Sequence, residues 1–194
     1  MGRRRDDLGG TWQGQIGVCL ASGPSLTRAQ AEAVKHLPCI VANTTYQMAP
    51  WASLLFAMDS AWWHVHHKQL SDFKGRKLAG HRNAQTYGAE STLDWHWIPK
   101  IPNSGAAAIA IVAHCKPRKI ILLGYDGKRD EQGNAHWHGA HPSPLGDAKR
   151  MDRWPSSFRL AASHCKNLGV PVVNCSPGTA IDAFPVGDLE REIA

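Results

Sequence analysis

The chain has 194 residues, 43% of them hydrophobic and 20% charged, a balance that excludes a disordered polymer and suits one globular domain. No apolar run approaches the roughly 20 residues that a bilayer span needs, so a membrane partner is not expected. The net charge of +6 suits anionic ligands such as nucleotides. It does not exclude nucleic acid, although no basic run interleaved with stacking aromatics marks a nucleic-acid face.

In chain order, residues 1–11 open with Met1-Gly2-Arg3-Arg4-Arg5-Asp6-Asp7 and read as a basic flexible tail. They lack the apolar segment of a secretory signal, so the expected location is the cytoplasm. Residues 12–194 are expected to form one domain. Ile16–Ala21 is an apolar run fit for a buried strand, stopped by Ser22-Gly23-Pro24-Ser25 and followed by a helix near 27–36. A strand, a small-residue turn and a helix start together predict an anion site. Gly23 permits close backbone approach, Pro24 fixes the turn, and the N–H groups at the helix start favour phosphate. The turn lacks the G-x-G-x-x-G spacing of dinucleotide enzymes, which argues against hydride transfer.

Cys39–Ala42 and Leu54–Met58 read as the next strands. The helix near 60–71 carries His64, His66 and His67, whose spacing shares no single face and predicts a solvated surface. Residues 72–91 look irregular. The alternation of Leu93, Trp95 and Trp97 predicts a half-exposed or edge strand over Thr92–Ile98. The helix near 104–115 has almost no polar residue before His114 and should be buried nearly all round. Lys119–Leu123 is a strand, 126–150 is a long Gly-, His- and Pro-rich segment of the kind that forms lids, and a helix near 153–167 precedes a last strand at Val170–Val173. Such alternation predicts an α/β, Rossmann-like fold: a mainly parallel sheet with helices on both faces in a single domain. The cysteines, Cys19, Cys39, Cys115, Cys165 and Cys175, are odd in number and lack C-x-x-C spacing, so buried reduced thiols are expected.

Ligands of open α/β sheets bind beyond the carboxyl ends of the strands. Small or polar groups follow every candidate strand there: Ser22 to Ser25, Asn43, Asp59, Tyr125 with Asp126, and Asn174 with Ser176. Asn103, Ser104 and Gly105 form a second small-residue helix start. Asp59 and Asp126 are strand-end carboxylates of the kind that hold Mg²⁺ in phosphoryl-transfer enzymes. His136, His138 and His141 lie in the lid, where a histidine can serve as general base, offset phosphate charge, or ligate a transition metal. Trp137 beside them is the best-placed aromatic to stack on a base or sugar.

The ordered set Gly23-Pro24-Ser25-Leu26, Asn43, Asn103-Ser104-Gly105, Leu123-Gly124-Tyr125-Asp126, His136-Trp137-His138-Gly139-Ala140-His141 and Asn174-Cys175-Ser176-Pro177 resembles the bacterial sialyltransferases of glycosyltransferase family 42. It is also similar to the related phage and prokaryotic proteins grouped with 6-hydroxymethylpterin pyrophosphokinase, and most of all to phage-borne members. The resemblance covers roughly residues 16–185. It implies that Gly23, Pro24 and Ser25 line the nucleotide's phosphate or ribose and that Asn43 bonds the donor. It implies that Ser104 and Gly105 meet phosphate or base, that Tyr125 and Asp126 border the nucleotide, and that a lid histidine matching 136–141 is the catalytic base. Family lids also carry tyrosines, whereas no tyrosine lies between 126 and 150 here.

The expected function is a nucleotide-binding transferase using a nucleotide-activated donor such as a nucleotide sugar, with a lid histidine as base. One alternative is Mg²⁺-dependent pyrophosphoryl transfer from ATP to a hydroxymethyl heterocycle, with the metal on Asp59 and Asp126. The other is nucleotide binding without turnover. The many tryptophans in a small domain leave room for a homo-oligomer.

Overall fold

A computed structural model describes residues 8–146, 148 and 151–194. Its strands are β1 (Ile16–Leu20), β2 (Cys39–Ala42), β3 (Leu54–Ala57), β4 (Arg76–Ala79), β5 (Glu90–Ser91), β6 (Lys119–Leu123) and β7 (Val172–Asn174). They form one sheet in the order β5-β4-β3-β2-β1-β6-β7, and every pair is parallel. The continuous aliphatic runs of β1, β2, β3 and β6 follow from burial on both faces. Cys19, Ile40, Phe56 and Leu122 point to one face, and Val18, Val41, Leu55, Ile121 and Leu123 to the other.

The helices are α1 (Arg28–Ala33), α2 (Ser60–His66), α3 (Ser104–His114), α4 (Trp154–Asn167) and α5 (Leu189–Ile193). The first face packs against α3 and α4, the second against α1, α2 and the partly buried Leu189 and Ile193 of α5. The α/β, Rossmann-like expectation is met, with helices on both faces of a parallel sheet. The chain steps outward from β1 to β5 before α3 carries it back, so that β6 adds on the opposite side of β1. The switch in strand order therefore falls between β1 and β6. That junction is where open α/β sheets leave a crevice.

Helix α3 is buried from Ala106 to Ala113, as its sequence requires. All five cysteines are buried and free. Burial pushes the thiols of Cys115 and Cys165 up to about 11 and about 12, so they remain protonated. Among the described residues, no helix is long and apolar enough to cross a membrane.

Three expectations change. Residues 8–11 are not a flexible tail: Leu8 is 3% exposed within the core, and the Gly10 and Trp12 N–H groups donate to the carbonyls of His114 and Cys115. Residues 1–7 lie outside the described residues. Thr92–Ile98 forms no strand. Its N–H groups at Trp95 and Ile98 donate locally to Thr92 and Trp95, and the alternating tryptophans stack on each other and on His114. The sheet edge is built instead by β4 and β5, inside the segment read as irregular. There the Arg76–Glu90 ion pair, with bonds of 3.0 and 2.8 Å, stands where an aliphatic pair would have given a hydrophobic signal. Last, His66 is not solvated. It is 3% exposed, hydrogen-bonded through Nδ1 to the Tyr46 hydroxyl and stacked on Trp62.

Because α3 sits against β1, β2, β3 and β6 as well as α4, its volume is tightly constrained. Ile109→Ala should lower unfolding stability in denaturant by about 2–5 kcal/mol, whereas Leu160→Ala, on the exposed face of α4, should change it by less than about 0.5 kcal/mol.

Candidate functional site

A pocket of about 550 Å³, counting its open mouth, lies above the junction of β1 and β6. Of this space only about 90 Å³ is enclosed, less than the roughly 300–1,000 Å³ common for small-molecule sites. Ser22, Gly23, Asn43, Asn103, Ser104, Gly105, Tyr125, Asp126 and His136 line it. Four separate stretches of the chain that were singled out on sequence, and one lid histidine, therefore meet in one place.

The Ser22–Ser25 turn is shaped by its neighbour across the sheet. The Gly23 N–H donates to the Gly124 carbonyl at 2.9 Å, and the Ser25 N–H donates to Asp126 Oδ1 at 3.1 Å. A Cβ on Gly23 would collide with Asp126 Oδ2 and the Gly124 carbonyl. Glycine is thus required by the close approach of Asp126 rather than by the approach of a ligand. A carboxylate against the turn disfavours phosphate there, and the next helix, α1, is closed by a capping box between Thr27 and Gln30. Pro24 and Ser25 do not line the pocket. Of the two roles expected for this turn, the geometry leaves ribose and disfavours phosphate.

The start of α3 is better suited to an anion. Asn103 caps the helix by accepting from the Ala106 N–H at 2.9 Å, and the Ser104 hydroxyl accepts from the Met58 N–H at 3.1 Å. These bonds hold the first turn open toward the pocket, with the N–H groups of Ser104 and Gly105 at the positive end of the helix. The Tyr125 hydroxyl donates to the Gly105 carbonyl, which fixes the position of that turn from the opposite wall. Asn43, at φ 52°, holds the left-handed conformation that asparagine tolerates better than most residues. Its buried Oδ1 has no hydrogen-bond partner among the described residues, and neither does Asp126 Oδ2. Burial holds the Asp126 carboxyl above its ordinary range, against the opposing pull of Ser25 and Lys128.

Asn174 and Ser176 support the site from behind. The Asn174 side chain donates to the Tyr125 carbonyl, and the Ser176 hydroxyl accepts the Tyr125 N–H at 2.7 Å. Neither lines the pocket. Asp59 is exposed and also lies outside the lining, so of the two candidate magnesium carboxylates only Asp126 reaches it.

The lid is pinned to the β1 turn. The Trp137 N–H donates to the Ser22 carbonyl at 3.0 Å, and Ser22 Oγ is 3.2 Å from His136 Nδ1. His136 lines the pocket; His138 and His141 lie next to it, with ring centroids 5.1 and 4.7 Å away. Burial, reinforced by His141 and His136, pushes His138 down to about 4. A base that weak is poorly matched to catalysis near neutrality. Trp137 packs toward the second face of the sheet, edge-on to His138, and is not the stacking residue expected. The aromatic wall is built by Trp154 and Phe158 at the start of α4, and Lys128 supplies a cation. Sequence reading missed these three. The Trp154-Pro155 helix start directly after the lid, and a lysine two residues past Asp126, were the available signals.

The chain matches no model of a known protein family, no curated protein and no solved structure.

A raised carboxyl pKa means that the folded chain holds the Asp126 proton more tightly than the unfolded chain. Its ionisation therefore costs stability as pH rises from about 3.9 through the folded value. Asp126→Asn keeps an acceptor for the Ser25 N–H and removes that cost. The variant should melt close to the native protein at about pH 3 and above it at about pH 7, as followed by circular dichroism.

Proposed function

We propose that the protein is a nucleotide-binding transferase whose activated donor sits in the pocket at the β1/β6 junction. The observation that carries this reading is the complement of groups around one cavity. Asn43 Oδ1 and Asp126 Oδ2 are buried acceptors that want hydroxyl or amino donors. Across from them, the Ser104 and Gly105 N–H groups want an anion. Lys128 adds positive charge, and Trp154 and Phe158 offer apolar faces. A nucleotide supplies the counterpart of each: ribose hydroxyls or an exocyclic amine, a phosphate, and a flat base.

Glycosyl-type transfer follows from the lid. His136 is the lid histidine at the pocket wall, and its Nδ1 bond to Ser22 orients the ring so that Nε2 takes the proton of an acceptor hydroxyl. As that oxygen bonds the donor carbon, the bond to the leaving phosphate breaks, and its charge collects at the start of α3. The likeness of the motif order to glycosyltransferase family 42 supports the same class. The missing lid tyrosines point to a donor or acceptor other than those of sialyl transfer. A second reading, Mg²⁺-dependent pyrophosphoryl transfer, draws support from Asp126 Oδ2, since Mg²⁺ often binds one carboxylate together with substrate phosphates.

Thermal shift against CMP, UDP, GTP and ATP, with and without Mg²⁺, tests both readings. A nucleotide that binds should stabilise the protein by about 2.7 kcal/mol at a hundred times its Kd, which is roughly 5–10 °C for a domain of this size. A shift without metal supports the donor reading, and a shift by ATP only with Mg²⁺ supports the pyrophosphoryl one. Lys128→Ala should weaken phosphate-bearing ligands by about 10-fold or more. If no nucleotide moves the melting temperature, both readings fail.

A further inference from the structure

We infer that His136, His138 and His141 form a binding site for a single transition-metal ion of the zinc class at the rim of the pocket. Each residue offers one ring nitrogen, and the three nitrogens lie within 4.8 Å of one another. An ion bound by imidazoles at about 2.0–2.1 Å in tetrahedral geometry holds its ligand nitrogens roughly 3.3 Å apart. Small rotations of three half-buried rings on one loop close that difference.

The loop is built to bring them together. In His136-Trp137-His138-Gly139-Ala140-His141, Gly139 sits at φ 78° and its N–H donates back to the His136 carbonyl at 3.1 Å. That turn reverses the chain and returns His141 to the first two rings, with centroid separations of 4.7 and 4.8 Å. Alternation across Trp137 turns the half-buried tryptophan against the core and both flanking histidines to the same side. Ser22 then orients His136 through Nδ1, the kind of outer contact that holds metal-ligating histidines in place.

The chemistry of the surroundings selects the ion. The converging donors are all imidazole, and no carboxylate joins them among the described residues. Such a set suits zinc, copper, nickel or cobalt and disfavours magnesium or calcium. His138 Nε2 is buried without a hydrogen-bond partner among the described residues. His66 of α2, itself 3% exposed, lies close enough to interact with His138 and His141, and its Nε2 also lacks a partner there. Three protein ligands leave a fourth position open, the pattern of catalytic rather than structural zinc. Since His136 also lines the pocket, that open position borders the proposed donor site. With an ion present, an acceptor hydroxyl bound there would lose its proton to solvent more readily, and the metal would replace His136 as the activating group. This last role rests on the transferase reading; the metal site itself does not.

The experiment uses the full chain without a histidine tag, stripped by a chelator and titrated with Zn²⁺ against a chromophoric competitor. The expected result is one equivalent bound with a Kd below about 1 µM, together with visible absorption bands when Co²⁺ is substituted. His138→Ala and, as a milder change, His141→Gln should each weaken Zn²⁺ binding by at least about 100-fold. His164→Ala, on α4, should leave it unchanged. Circular dichroism of each variant reports folding, and the Co²⁺ spectrum of the unaltered chain does not depend on any variant. Substoichiometric binding, no Co²⁺ bands, or full affinity in a folded His138→Ala or His141→Gln protein would overturn the site. A nucleotide-induced melting shift that survives in the metal-free protein would then leave the transferase reading standing alone.

Discussion

The apposition of two strand-end turns, with the Asp126 carboxyl against Gly23, is the constraint on which the site depends. The Ala21 and Gly23 N–H groups donate to the carbonyls of Leu123 and Gly124, and Asp126 Oδ1 takes the Ser25 N–H. Gly124 is held at φ 71° with the Ala21 carbonyl in the space its own Cβ would need. Both glycines exist because two backbones and a carboxylate crowd together where the strand order reverses. Every pocket wall is referenced to this junction: Ser22 anchors the lid, Tyr125 fixes the start of α3, and Asn174 with Ser176 braces Tyr125 from below.

That arrangement divides the polar work of the pocket. The β1 turn carries buried negative charge from Asp126, while the start of α3 carries the positive end of a buried helix. A ligand bearing hydroxyls at one end and phosphate at the other fits this polarity in one orientation. The division also explains why Ser104, although serine is a common helix cap, leaves capping to Asn103 and ties the helix to the end of β3 instead. Above this polar floor sits a lid whose three histidines converge, the basis of both the proposed base at His136 and the proposed metal site.

Much of this was legible in the chain. Aliphatic runs between helical segments predicted a parallel sheet, and the rule that ligands gather at carboxyl strand ends predicted that Ser22, Asn43, Ser104 and Asp126 would meet. What was not legible depends on neighbours distant in sequence. Strand β4, next to the short edge strand β5, begins with Arg76 and Lys77, which are satisfied by the Glu90 carboxylate and the Leu70 carbonyl; no local hydrophobic pattern announces it. His66 reads as surface by spacing yet is buried, since Tyr46 and Trp62 supply a partner for its Nδ1 and a stacking face. Gly23 reads as a phosphate glycine, and only the position of Asp126, about a hundred residues away, reveals its task. Trp137, expected to stack on a ligand, packs against the core instead, while Trp154, which no motif marked, lines the pocket.

In the proposed complex a nucleotide phosphate binds at the start of α3 while the ribose end meets Asn43 and Asp126. Backbone amide chemical shifts recorded during titration with the nucleotide that most raises the melting temperature test it most directly. The largest shifts are expected on Ser104 and Gly105, with smaller ones at Gly23, Asn43 and Asp126, and little change in β5 or α5. Shifts concentrated around Trp95 and Ile98, where a separate apolar cavity opens, or at residues 27–30 with Ser104 and Gly105 silent, would contradict it.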